Sequence, residues 1–320
     1  MEDTKRCLYC YLELEKDSTS DYHPKCSKQF FGSTIPPVLS ISGPELEEMA
    51  LAIIKRSVTI PGVQPKLSLN IEPNPNDPKK SRLTVVGLWS NYILKPQSPS
   101  YKSLPENEDL TMKLAELAGI ATAEHSLIRT SSGKLAYITK RFDRLKSRKV
   151  LVEDLCQLSE LPSSGKYDSS MEKTGKTVSK YSSAPGFDVI LFFEIALFSF
   201  VTGNADMHLK NFSIIKNEEN QYRLSPAYDL LSTALALPAD KEQMALTLNG
   251  KKNRINKKDF NLFAEKLKID GSTSDKIIAK QLNLSAEFES LVNISFLSNE
   301  MKEQYVNLIR DRIKSLKDKS

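Results

Sequence analysis

The amino-acid sequence predicts an α+β chain, strand-rich in its first half and mainly helical in its second. Short alternating or β-rich runs separated by Pro/Asn/Asp clusters fill residues 66–142. A long apolar run, Val189–Val201, then reads as a buried helix. With 40% apolar and 27% charged residues, 320 residues can bury one large core or two modest ones.

Taken in order, Pro36-Pro37 closes an N-terminal segment, residues 1–33, that is poor in core-forming runs. Pro44–Arg56 reads as a helix, with Glu45, Glu47 and Glu48 early and Lys55 and Arg56 late, which complements the helix dipole. Lys66–Ile71 alternates, and Leu83–Leu88 and Tyr92–Leu94 are β-rich, with a turn cluster at Asn74–Pro78. Asn107–Ala118 carries Leu110, Leu114, Leu117 and Ala118 at helical spacing and stops at Gly119. Leu135–Phe142 is a further strand. Ser163–Gly186, rich in Ser, Lys, Gly and Tyr, reads as a loop or disordered insert. After the apolar run, Phe212–Ile215 and Gln221–Leu224 flank a polar turn and form a hairpin.

Composition excludes several classes. A net charge of +5 is too small for a dedicated nucleic-acid binder, and four cysteines staple too little for a secreted disulfide scaffold. The first residues lack the apolar core of a signal peptide, and Glu194 interrupts the longest apolar run, so the expected compartment is the cytoplasm. Cys7 and Cys10 form a C-x2-C pair, and His23 and Cys26 an H-x2-C pair after a twelve-residue spacer. Two such pairs suit a tetrahedral structural zinc. Small cysteines and a surface histidine falling near one another give the same pattern.

The chemistry concentrates in Gly203–Asn211. An acid followed five positions later by an amide is the catalytic-loop arrangement of phosphotransferases. Asp206 would receive the acceptor hydroxyl's proton and Asn211 would hold magnesium. The hairpin returns the chain to Tyr228-Asp229, where Asp229 would be the second magnesium ligand, a hard oxygen as Mg²⁺ requires. A polar loop capped by Asp and Asn is the plainer alternative. Lys95, at the end of an apolar strand, would neutralise nucleotide phosphates, with Glu108 in the next helix as its partner. Thr59–Lys66 would be the phosphate loop, although it holds a single glycine and matches neither G-x-G-x-x-G nor G-x4-G-K-[ST].

Several stretches resemble, in order, the motifs of HipA-type serine/threonine kinase toxins. They are Gly62–Lys66, Ile93–Pro96, Leu104–Glu108, Lys140–Arg144, Glu153–Gln157, Asp206–Ser213 and Tyr228–Ser232. The resemblance spans roughly residues 57 to 250. It implies a two-lobed, protein-kinase-like fold related to phosphoinositide kinases, with an N-lobe over 34–142 and a helical C-lobe over 143–320. It implies ATP and Mg²⁺ as cofactors and Asp206 as catalytic base, with Asn211 and Asp229 on the metal. Lys95 would contact the ATP phosphates, and Pro61, Gly62, Val63, Gln64, Pro65 and Lys66 would form the nucleotide loop. Lys140, Arg141 and Phe142 would form the adenine hinge, with His208 and Tyr228 beside the nucleotide. The resemblance further implies autophosphorylation at Thr59, with Ser57 nearby, and an aminoacyl-tRNA synthetase as protein substrate. A DNA-binding antitoxin would be the partner.

Three features depart from the family pattern. The family's extra N-terminal subdomain is lacking, so the chain is similar to the kinase subunit of split, HipBST-like systems in which a small separate protein supplies that piece. The hinge position that is usually acidic is Lys140, and the family's self-phosphorylated serine falls on Thr59. Two alternatives stay open. Asp206-x-His208-x2-Asn211 also resembles the loop of aminoglycoside and choline kinases, which are small-molecule phosphotransferases, and an inactive kinase-fold binding module would act with an antitoxin or DNA.

Overall fold

In the computed structural model, which describes residues 5–42, 45–46, 48–49, 52, 64–74, 77–86, 89–145 and 148–317, the alternating runs of the first half become one six-stranded sheet. By contact the chain divides into unit 1, Met1–Asp109 with Ala123–Phe142, and unit 2, Leu110–Thr122 with Asp143–Ser320.

Unit 1 runs α1 (Pro24–Phe31), β1 (Val38–Leu39), β2 (Leu67–Asn74), β3 (Asp77–Val85), β4 (Tyr92–Lys95), the start of α2 (Leu104–Leu117), β5 (His125–Arg129) and β6 (Leu135–Lys140). The sheet order is β1-β3-β2-β4-β6-β5, antiparallel throughout except for the parallel β1/β3 pair. Alternation places Leu67, Leu69, Leu94 and Ile138 in the core. Of the expected Pro44–Arg56 helix, Glu45, Leu46, Glu48, Met49 and Ala52 are helical, and its other residues lie outside those described. The centre of the Asn74–Pro78 turn and the end of the Leu83–Leu88 run also lie outside them.

Helix α2 begins three residues earlier than its apolar spacing predicts, because Pro105 is tolerated in a first turn. Glu106, Asn107 and Glu108 are therefore helical. The chain leaves the helix at Gly119 with φ +77°, a conformation that glycine adopts at no steric cost. Register pairs Lys95 with Tyr137 across β4 and β6. The Lys95 ammonium lies 5.3 Å from the Tyr137 ring centre and is hydrogen-bonded to Glu108. Side-chain exposures of 2% and 0% make this a fully buried ion pair.

Residues 5–33 carry more core than their composition suggests. Leu8, Tyr11, Tyr22 and Phe30 are buried, and the segment belongs to unit 1. Leu127 N on the edge strand β5 donates to Leu8 O at 3.3 Å.

Unit 2 opens with the short pair β7 (Arg144–Leu145) and β8 (Arg148–Lys149), then β9 (Val152–Asp154) and α3 (Leu155–Leu158). Helices α4 (Met171–Tyr181) and α5 (Pro185–Val201) precede the hairpin β10 (Ser213–Lys216) and β11 (Tyr222–Leu224). The rest is helical: α6 (Thr233–Ala236), α7 (Lys257–Lys266), α8 (Gly271–Asn283), α9 (Ser285–Asn293) and α10 (Asn299–Leu316). Helix α5 is the expected core helix, and its Phe192 and Phe193 rings meet Phe263 of α7. The Ser163–Gly186 stretch is corrected from loop to ordered structure. It contains a 3-10 turn at Ser163–Gly165 and α4, whose first turn is capped by the Ser170 hydroxyl. Its positions Met171, Thr174, Gly175 and Val178 are buried, a face with too few apolar residues to stand out in a polar sequence. The hairpin forms as predicted, and β9 joins it as a third strand. Buried Asp188 of α5 ties it down by accepting from Arg223 and from Leu224 N at 2.9 Å. Among the described residues, no helix is long and apolar enough to cross a membrane.

Two predictions follow from α2. Removing one partner of the buried pair, as in Glu108→Leu or Lys95→Met, should cost about 3–5 kcal/mol by urea unfolding, because the other charge is stranded. The double variant Lys95→Met/Glu108→Leu should recover much of that loss. Burial, with the Asp109 charge adding to it, pushes the Glu106 carboxyl up to about 7. The unfolded chain releases that proton near pH 4.5, so Glu106's contribution to stability is complete below that pH and is lost as pH rises towards 7. Glu106→Gln should therefore raise Tm relative to wild type more at pH 8 than at pH 5.

Candidate active site

The Gly203–Asn211 loop is held from its backbone outward. Gly203 ends α5 at φ +69°, and a Cβ there would meet Leu308 Cδ2 of α10 at 2.7 Å and Ala234 Cβ at 3.0 Å. Only glycine fits this corner. Thr233 Oγ1 donates to Gly203 O at 3.2 Å and accepts from Ala205 N at 2.8 Å. Asn204 Oδ1 accepts from Asp206 N at 3.1 Å. The Asp206 carbonyl then receives two donors, His208 N and Asn211 Nδ2, each at 2.8 Å. A single carbonyl thus fixes the acid-to-amide spacing, and the amide nitrogen's bond turns Asn211 Oδ1 the other way.

The Asp206 carboxylate is 44% exposed. Its Oδ1 accepts from the Tyr167 hydroxyl at 2.6 Å and lies 4.0 Å from His208 Nε2. Tyr167 meets the His208 ring edge-on at 5.1 Å. Burial drives the His208 imidazole below its ordinary pKa, against the opposing pull of Asp206 and Asp229. Its Nδ1 has no hydrogen-bond partner among the described residues. Burial raises the Tyr167 phenol, and its bond to Asp206 raises it further.

After the hairpin, the Tyr228 hydroxyl donates to Lys210 O at 2.9 Å and lies 2.5 Å from Ser213 Oγ. Burial raises this phenol too. Next to it, Asp229 adopts φ +54°, a left-handed conformation that aspartate tolerates better than most side chains. Lys210 reaches Asp154 at 2.7 Å, and Asp154 also caps α3 in a reciprocal capping box with Gln157. Unit 2 thus gathers Asp206, His208, Asn211, Tyr228 and Asp229. Two carboxylates and an amide oxygen are the donors a hard divalent cation prefers, so the set fits Mg²⁺.

Unit 1 holds the other expected residues. Beside the Lys95–Glu108 pair, Gln64, Pro65 and Lys66 lead into β2. Pro65 is buried, Lys66 is exposed, and Gln64 Nε2 finds no partner among the described residues. Pro61, Gly62, Val63, Ser57 and Thr59 lie outside the described residues. Lys140 N donates to Glu124 O and Arg141 N to Asn91 O, both at 2.8 Å, and Phe142 follows in a turn. Sheet pairing thus occupies those two amides. The Lys140 ammonium is bonded to the Glu124 carboxylate and to Gln29 O at 3.3 Å, which answers the charge change at this position. Cys7, Cys10, His23 and Cys26 come together, their ligand atoms all within 4.8 Å of one another.

Tyr167 and Thr233 escaped the sequence reading. Tyr167 sits in the polar stretch taken for a connector, and its one signal was an aromatic side chain there. Thr233 follows the Tyr228–Ser232 motif and carried no signal.

Comparison with known proteins identifies the family. The model of the HipA-like C-terminal domain matches residues 58–287. The chain is 34% identical over 175 residues to "Putative kinase Y4mE" of Sinorhizobium fredii, covering 52% of this chain and 41% of that protein. It is 29% identical over 213 residues to the serine/threonine-protein kinase toxin HipA of Shewanella oneidensis, covering 60% and 47%. It therefore spans less than half the length of each. The Shewanella oneidensis HipA structure, solved with HipB and operator DNA, superposes with a TM-score of 0.65 at 20% identity over 83% of this chain and 70% of that one. That likeness establishes the fold. With the domain match covering most of its length, the chain belongs to the HipA-type kinase family and has its two-lobed, kinase-like fold.

Proposed function

We propose that the chain is an ATP- and Mg²⁺-dependent protein serine/threonine kinase, the toxin of a toxin–antitoxin module. The observation that carries this reading is the convergence of Asp206, Asn211 and Asp229 around His208, built from one carbonyl and one hairpin. Tyr167 occupies Asp206 Oδ1, so Oδ2 is the oxygen that accepts the proton of the acceptor hydroxyl. That hydroxyl oxygen forms the new bond to the γ-phosphorus as the bond to the ADP oxygen breaks. His208, kept neutral by burial, adds no positive charge that would compete for the Asp206 carboxylate. Asn211 and Asp229 would hold magnesium, whose charge offsets that of the phosphates. Lys95, oriented by Glu108, is assigned to the ATP phosphates, Gln64 and Lys66 to the nucleotide loop, and the carbonyls of Lys140–Phe142 to adenine.

The substrate is a protein, with an aminoacyl-tRNA synthetase the first candidate. A DNA-binding antitoxin, by analogy with HipB in the Shewanella oneidensis complex, and a small protein carrying the family's N-terminal subdomain are the proposed partners, all in the cytoplasm. Labelled ATP incubated with cell extract tests the reading. Label should pass to protein in a Mg²⁺-dependent way, and Asp206→Asn should lower turnover by about 10²–10⁴-fold. Asp229→Asn should abolish transfer with Tm unchanged or raised, since it removes like charge near Asp206. Label on a small alcohol would favour the antibiotic-kinase-like alternative, and wild-type turnover by Asp229→Asn would refute the metal assignment.

Thr59 is proposed as an autophosphorylation switch. A phosphate there adds about −1.5 to −2 charges to the loop assigned to ATP and should weaken nucleotide binding. Peptide mapping after incubation with Mg-ATP should find it on Thr59 or Ser57 in the wild type and on neither in Asp206→Asn.

A further inference from the structure

The N-terminal segment contains a second constellation that the phosphotransfer reading does not use. Cys7 and Cys10 flank a tight turn closed by Tyr11 N donating to Cys7 O at 2.9 Å, with Tyr11 at φ +65°. His23 precedes α1, and Cys26 lies in its first turn. His23 Nδ1 is 3.4 Å from Cys10 Sγ and 3.8 Å from Cys26 Sγ. A tetrahedral zinc with bonds of about 2.3 Å to sulfur and about 2.0–2.1 Å to nitrogen places neighbouring ligand atoms about 3.6–3.8 Å apart. All four ligand atoms lie within 4.8 Å of one another, close to that spacing.

A second observation concerns the outer contacts of these residues. His23 Nε2 lies 3.0 Å from the Glu13 carbonyl, which can only accept, so Nε2 carries the proton and Nδ1 presents its lone pair to the sulfurs. This is how metal-binding imidazoles are ordinarily oriented. Cys156, the remaining cysteine, instead lies against the Leu161 and Pro162 carbonyls.

The cluster is tied to the kinase-like sheet. Leu8 O, between the two ligands of the first pair, accepts from Leu127 N and from Ser126 Oγ at 3.2 Å on β5. The Tyr22 hydroxyl, next to His23, donates to Leu127 O. The Tyr11 hydroxyl, next to Cys10, donates to Asp109 Oδ2 at 2.7 Å. We propose that Cys7, Cys10, His23 and Cys26 hold a structural Zn²⁺ that fastens the N-terminal segment onto the β5 edge and onto α2. Binding forms three Zn–S bonds and one Zn–Nδ1 bond and releases the three thiol protons to solvent. Zinc suits the site because three thiolates and an imidazole in a closed tetrahedron are its structural ligand set.

The test uses the full chain. Elemental analysis of purified protein should find about one zinc per molecule. Replacement by Co²⁺ should give thiolate charge-transfer absorption and the d–d bands of a tetrahedral centre. His23→Ala should lose the metal, whereas His23→Cys, which restores a fourth ligand, should keep one equivalent. Amide exchange in residues 5–33 and 125–129 should quicken on chelation and slow again when zinc is returned. A metal-free chain with those amides protected, a disulfide among the three cysteines, or iron in place of zinc would overturn the assignment. Metal at one equivalent with exchange indifferent to chelation would overturn the fastening role.

Discussion

The buried pair between Lys95 and Glu108 is the constraint around which unit 1 is organised. A lysine at the end of an apolar strand can be tolerated inside a core only beside an opposite charge, and its ring contact with Tyr137 adds to that compensation. Glu108 is fixed by α2, and the adjacent Asp109 is fixed in turn by Tyr11 and by His125 Nδ1 at 2.7 Å. His125 stacks on Tyr137, which closes the circuit back to Lys95. Lys95, Glu108, Asp109 and His125 each have at least one partner within this chain of contacts, which links the strand lysine to the edge of the sheet. The pair thus depends on residues from four separate parts of the sequence.

Unit 2 solves a different problem with less charge. Its acidic loop needs a defined shape with one carboxylate open to solvent, and the backbone supplies it. Gly203 permits the corner, Thr233 and Asn204 hold the first residues, and the Asp206 carbonyl collects two donors. The hairpin is anchored separately, through Asp188 at its base and Tyr228 on the Lys210 carbonyl. The acidic loop and the hairpin are thus shaped by hydrogen bonds made almost entirely through atoms other than the Asp206 and Asp229 carboxylates.

Much of this was readable where local rules apply. Alternation revealed the strands, the apolar run revealed α5, and a polar turn between β-rich runs revealed the hairpin. The hairpin that leads back to Tyr228-Asp229 and the Lys95–Glu108 partnership were legible from local pattern and from a charge at the end of an apolar strand. Legibility failed where a residue's meaning depends on distant neighbours. Tyr167 matters only once α4 and α5 have placed it against Asp206, and β9 pairs with a hairpin sixty residues on. The early start of α2 was obscured by Pro105, and the core role of Leu8, Tyr11 and Tyr22 by the polar company they keep in the sequence. The twofold C-x2-C and H-x2-C spacing was legible as a pattern, but the orientation of His23 was not.

Leu308 against Gly203 has a consequence for the order in which the protein becomes complete. The wall of the Gly203 corner belongs to α10, the last helix of the described chain, whose Tyr305 also meets Thr111 of α2 at 2.8 Å. A ribosome releases α5 and its loop long before α10. Until then the corner lacks the side chain that packs against it. A chain cut short by premature termination would therefore carry every residue assigned to phosphotransfer and still lack their support.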